Sequence, residues 1–109
     1  MKMRCECGEI ISDNTDYLPY KAFLIADEDW FGVADAIDEI TSEVASGRTT
    51  ILAAETAVRV VLNKKSRTMY QCSKCGRLLV ADWQHNRHIY APISDADSRQ
   101  ILRGHDKVS

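Results

Sequence analysis

No apolar run in the sequence approaches the roughly 18 residues that a membrane-spanning helix needs, and the opening string Met1-Lys2-Met3-Arg4-Cys5 carries no apolar leader core. Both absences lead to the expectation of a soluble protein in the reducing cytoplasm, with no membrane partner. The chain also lacks G-x-S-x-G, a glycine-rich phosphate loop and H-E-x-x-H, so none of the familiar nucleophile, nucleotide or metalloprotease signatures is present. A non-enzymatic protein is the expectation. There is no internal repeat and no low-complexity linker, which predicts one domain over 1–109 with a helical insertion at about 27–63 and a tail at about 94–109. The net charge of −2 argues against a protein built mainly to coat nucleic acid, although a local basic patch is compatible with it.

Against these absences stand four cysteines in two pairs, Cys5-Glu6-Cys7-Gly8 and Cys72-Ser73-Lys74-Cys75-Gly76. Two thiolates one or two residues apart, followed by a glycine that permits a tight turn, form a knuckle with both sulfurs in one concavity. Cys5, Cys7, Cys72 and Cys75 together complete a tetrahedral set with no open position, the pattern of a structural Zn2+ site. Disulfides would suit an exported protein better. A redox C-x-x-C belongs at a helix N-terminus, whereas Leu78-Leu79-Val80 has the β-branched and apolar look of a strand. Iron in the same thiolate cage would support electron transfer, and spacing alone does not separate it from zinc. His85 and His88 follow the second knuckle, but with four thiolates in hand they are expected to be turn or surface residues.

On Cys5, Cys7, Gly8, Cys72, Cys75 and Gly76 the chain resembles the zinc-ribbon and rubredoxin-like class, in which two cysteine knuckles on short hairpins clamp one metal. Here the first knuckle is C-x-C, and more than sixty residues separate the pairs. The resemblance therefore implies an α+β split zinc ribbon, its short antiparallel β-hairpins divided by a two-helix insertion. The strings Asp16-Tyr17-Leu18-Pro19-Tyr20-Lys21 and Asp27-Glu28-Asp29-Trp30-Phe31 also resemble small bacterial proteins of unassigned function, which implies no activity.

In chain order, 3–5 and 9–12 are predicted to be hairpin arms around the first knuckle, and Asp13-Asn14-Thr15-Asp16 a turn. Pro19 makes 17–20 irregular or an edge, and 21–26 is either a brief strand or the extended lead into a helix. Asp27 or Asp29 is expected to cap a helix with Trp30, Val33, Ala34, Ile37, Ile40, Val44 and Ala45 on one face, stopped by Gly47. A second helix starts at Thr49 or Thr50 and runs to about Asn63, turning Ile51, Ala54, Val58, Val61 and Leu62 inward. Strands are predicted at 67–71, 78–83 and 88–93, with a turn at 84–87. Ser94-Asp95-Ala96-Asp97 has the look of a helix start leading to Ile101 and Leu102, which makes the tail either a short docked helix or a partly disordered segment.

Charge is segregated along the chain. Asp27, Glu28, Asp29, Asp35, Asp38, Glu39 and Glu43 follow one another with no lysine or arginine between Lys21 and Arg48, whereas 48–77 holds seven bases against Glu55 alone. An acidic helix face steers a basic partner, so the first expectation is a protein-binding module, such as a small immunity-type protein that neutralises a cationic toxin. The alternative is a nucleic-acid-binding ribbon that sets Lys64, Lys65, Arg67, Lys74 and Arg77 on phosphates and stacks bases on Tyr70 or Trp83.

Overall fold

A computed structural model describes residues 1–94 and 98–105. It is a mixed α+β fold with the order β1 (Lys2–Arg4), β2 (Ile10–Ser12), β3 (Lys21–Ile25), α1 (Asp27–Ala45), α2 (Ile51–Lys65), β4 (Ser66–Gln71), β5 (Leu78–Ala81) and β6 (Arg87–Tyr90). Strands β1 and β2 form a two-stranded antiparallel sheet, and β3-β4-β5-β6 a four-stranded one. Both helices lie in the chain between the two cysteine pairs, so the ribbon is split as its sequence implies. Among the described residues no helix is long and apolar enough to cross a membrane.

The chain divides into two compact units, Met1–Phe23 with Thr68–Ser109, and Leu24–Arg67. In the first, Met3 pairs with Ile11 in the short hairpin, and Tyr70 pairs with Leu79, which in turn pairs with Ile89. Because side chains alternate across a strand, Met3, Ile11, Tyr70 and Leu79 fall on inward faces, and they form one buried cluster with Cys5 and Cys72. Its small apolar core is continuous with the thiols, so the core and the cysteine cluster are built from one set of residues.

Beside that core lies a polar network invisible to periodicity. The Tyr70 hydroxyl donates to Asp13 Oδ2, and Lys21 Nζ lies 2.7 Å from the same oxygen. The Tyr20 hydroxyl donates to the Ser12 carbonyl. Burial first, and then the carboxylate beside it, push the Tyr70 phenol up to about 12, while the bonds from Lys21 and Tyr70 hold Asp13 below the usual carboxylate value. A depressed carboxylate stabilises the fold above its unfolded value and loses that contribution as pH falls through its folded one. Asp13→Asn should therefore lower stability at neutral pH by about 1–3 kcal/mol, a typical cost for a buried partner left poorly satisfied. The same substitution should flatten the acid limb of a plot of Tm against pH below about pH 4. An unaltered acid limb would remove Asp13 from this account.

In the second unit the helices form a hairpin. Three acids in its first turn complement the α1 dipole, but the N-cap is Ala26, with no side-chain cap bond; neither Asp27 nor Asp29 caps it, because both are already inside the helix. At the other end Gly47 takes φ +77. Its amide donates to the Val44 carbonyl and that of Arg48 to the Glu43 carbonyl, the paired bonds of a Schellman stop. Thr50 caps α2 by accepting from the Ala53 amide at 3.1 Å.

The inward face of the hairpin is narrower than the helical periodicity predicts. Val33 and Ala54 are its buried members, whereas Trp30 is 56% and Ile51 67% exposed. Packing one helix on another covers only the seam between them, and Trp30 and Ile51 sit on the flank of that seam. The described part of the tail also departs from expectation: residues 98–105 contain a turn at Ile101 and Leu102 and no helix. The helix-start residues Asp95 to Asp97 lie outside the described residues.

Candidate metal centre

Each knuckle is a hairpin turn closed by backbone bonds. In the first, the Cys5 amide donates to the Glu9 carbonyl and the Gly8 amide to the Cys5 carbonyl, both at 2.9 Å. In the second, the Cys72 amide donates to the Arg77 carbonyl at 2.9 Å and the Gly76 amide to the Cys72 carbonyl at 2.8 Å. The two loops are the same device with one residue fewer in C-x-C. Both turns need a left-handed residue, and Gly8 at φ +98 and Gly76 at φ +82 supply it.

This brings the four sulfurs within 4.8 Å of one another. Across the knuckles Cys5 Sγ lies 3.5 Å from Cys75 Sγ, and Cys7 Sγ 3.6 Å from Cys72 Sγ. A disulfide needs about 2.05 Å, so the thiols are unbridged. A tetrahedron with metal–sulfur bonds of about 2.3 Å has edges of about 3.8 Å, which falls inside the observed spread. Cys5 and Cys72 are buried and Cys7 and Cys75 partly so, leaving the ligand set shielded.

The electrostatics of the thiols are unequal. Burial raises Cys5 and pushes Cys72 up to about 12, against amide donors at Cys75 and Lys74. Burial also opposes ionisation of Cys75, but there the Arg77 amide, the Cys5 thiol and the Arg77 guanidinium outweigh it and bring the thiol to about 6. Arg77 Nη1 lies 3.3 Å from Cys75 Sγ. A metal bound by four thiolates carries excess negative charge, and amide and guanidinium donors aimed at sulfur offset it.

Gln71, which no sequence motif singles out, is the main supporting residue. Its side chain is buried at 2% exposure and donates from Nε2 to the Gly76 carbonyl at 3.3 Å and the Ser98 carbonyl at 3.1 Å. Its Oε1 accepts from the Ile101 amide at 2.9 Å. One amide thus ties the second knuckle to the C-terminal segment, satisfying groups whose burial would otherwise be costly.

His88 is 2.9 Å from Asp82 Oδ2, and Asp82 Oδ1 accepts from the Gln84 and Asn86 amides. That carboxylate organises the β5–β6 turn, in which His85 takes φ +66. Tyr70, considered above as a base-stacking residue, is 4% exposed with its hydroxyl bonded to Asp13; Trp83 is exposed. Lys74 is exposed on the knuckle, while Arg77 is engaged by sulfur. Lys64 and Lys65 close α2, Lys65 lying 3.7 Å from Asp29, and Arg67 sits in β4. The acids Asp27, Glu28, Asp35, Asp38 and Glu39 are exposed on α1, with Asp29 and Glu43 half-buried.

A family model matches residues 1–97, a span that includes both knuckles and both helices. The chain belongs to DUF8617, a domain of unknown function. No curated protein and no solved structure matches it. The features of this DUF8617 chain that bear on function are the cysteine cluster and the charged surfaces.

Proposed function

We propose that Cys5, Cys7, Cys72 and Cys75 hold a structural Zn2+ ion, and that the protein is a non-catalytic binding module whose acidic α1 face meets a basic protein. The observation that carries the metal is the closure of the set: four thiols within 4.8 Å of one another, drawn from two glycine-ended knuckles. A borderline-soft ion with no geometric demand of its own suits four thiolates, and a site without an open position leaves the ion a structural task. When bound, the ion joins the two ends of the chain's cysteine framework.

The partner is inferred from charge. Seven carboxylates occur on α1 and no base accompanies them. Only the acids of the first turn serve the helix dipole; Asp35, Asp38, Glu39 and Glu43 add field without that local benefit. Such a face raises the encounter rate with a cationic protein and makes binding sensitive to salt. A small immunity-type protein that neutralises a cationic toxin has this logic.

The test is capture of cationic proteins by immobilised zinc-loaded chain at low and high salt, followed by identification of what is retained. The double substitution Glu39→Lys with Glu43→Lys should abolish salt-sensitive capture while leaving helicity and metal content intact. Capture that survives the charge reversal would put the binding surface elsewhere.

A further inference from the structure

The hairpin of α1 and α2 leaves an apolar groove uncovered. It has a volume of about 350 Å³ and is lined by Thr41, Val44 and Ala45 of α1 and Ile51, Ala54 and Val58 of α2, with Glu55 the one charged side chain on its wall among the described residues. At about 100° per residue, Trp30, Ala34 and Ile37 continue the same flank along α1, and Leu62 continues it along α2. Trp30, Ile51 and Leu62 are exposed. The flank is thus a continuous apolar face with small residues, Ala34, Thr41 and Ala45, down one side where another helix could approach closely.

We propose that this face is a homodimer interface, on which two copies of the chain stack their hairpins into a four-helix bundle with α1 of each copy lying over α2 of the other. Two observations select a second copy as the occupant. The first is charge. Helix α1 carries seven carboxylates and no base, whereas α2 carries Arg59, Lys64 and Lys65 against Glu55. A two-fold axis across the helices would lay acidic α1 on acidic α1. An axis along the helices instead lays α1 on α2 in antiparallel sense, so the surface is complementary to itself.

The pairing is specific in register. On the wheel Asp35 and Asp38 border the apolar flank of α1, and Arg59 borders that of α2. Asp38 lies seven residues before the end of α1 and Arg59 eight residues after the start of α2, so each stands about 10–12 Å from the connecting turn. In the bundle Asp38 of one copy therefore faces Arg59 of the other. Glu55 has Arg59 as its i+4 neighbour, which keeps a positive charge beside it.

The second observation is area. Helices of 19 and 15 residues overlap over about 22 Å, and at the usual separation they present a face about 20 Å wide. That is roughly 450 Å² per copy in projection and about 900 Å² for the two copies together, which the ruggedness of side chains raises to the ~1,000 Å² total of a specific interface. Both figures fit a reversible dimer. The exposed acids Glu28 and Glu39 stay uncovered, so the dimer leaves room for the basic partner proposed above and does not depend on it or on the identity of the metal.

Sedimentation and light scattering of the full metal-loaded chain, from low to high micromolar concentration, test this directly. The expected result is a mass of two chains that falls to one on dilution. Thr41→Arg, at an exposed position inside the groove, should keep the helical signal of the monomer and weaken self-association at least tenfold; Ile51→Lys serves as a second variant with the same expectation. Asp38→Arg should weaken it as well, and Asp38→Arg with Arg59→Asp should restore it. A single-chain mass at every concentration overturns the proposal. So does a dimer indifferent to both groove variants, and failure of the charge swap to restore association overturns the α1-over-α2 order.

Discussion

Replacing Cys72 by serine is expected to release the metal and unfold the unit that contains the two knuckles. Cys72 is fully buried at the centre of the core cluster, and its Sγ is the cross-knuckle neighbour of Cys7. Structural zinc contributes about 10–16 kcal/mol of apparent binding energy in small domains, coupled to folding, whereas the whole stability of a domain is about 5–15 kcal/mol. Loss of even part of the first quantity is comparable with all of the second. A hydroxyl is a poor ligand for zinc and, unbound, would be a polar group in an apolar site. Serine at the half-buried Cys75 should be the milder change, because solvent can reach that position. Near-UV circular dichroism and metal retention measure both, and a Cys72→Ser protein that kept its metal and its Tm would break the link between ligand and fold.

Valine at Gly76 is expected to cost about 2–5 kcal/mol, although it touches no ligand atom. The backbone there is at φ +82, and even a single added Cβ would lie 3.3 Å from Arg99 Cγ and from Pro92 Cγ. A left-handed conformation costs a residue with a Cβ about 1–2 kcal/mol, and crowding a packed site adds about 1–3 kcal/mol. The Gly76 amide also closes the second knuckle onto the Cys72 carbonyl, so strain at this point disturbs the cysteine cluster as well as the fold. Gly32 is the control. It lies within α1 and an added Cβ meets nothing within 4 Å, so Gly32→Ala should be neutral or stabilise by about 0.5–1 kcal/mol. Equal Tm shifts for the two substitutions would contradict the assigned role of Gly76.

Much of this fold could be read from residue spacing because the relevant physics is local. Cysteine pairs ending in Gly8 and Gly76 announce knuckles, a 3.6-residue apolar period announces the two helices, and Thr50 and Gly47 mark a cap and a stop. What escaped was non-local. Gln71 works through the backbone of Ser98 and Ile101, 27 and 30 residues further along, and no side-chain pattern advertises a carbonyl as a partner. The network of Asp13, Lys21 and Tyr70 joins residues that are ordinary one at a time; Asp13 looked like a turn residue only.

The helices show the complementary limit. Periodicity identifies an apolar face without saying what covers it, so Trp30 and Ile51 were expected inside and lie exposed. Their exposure leaves open the apolar face on which the proposed dimer forms. At the start of α1, a choice between Asp27 and Asp29 as cap overlooked that acids within the first turn gain from the dipole without capping it.

The central claim is that one metal, held by four thiolates, joins the two ends of the split ribbon. Elemental analysis of protein purified without added metal, with thermal unfolding before and after chelation on the same sample, tests it most directly. The account predicts about one zinc per chain and a large fall in Tm when the metal is removed. Protein that carries no metal, or that unfolds at the same temperature with and without it, would contradict the claim.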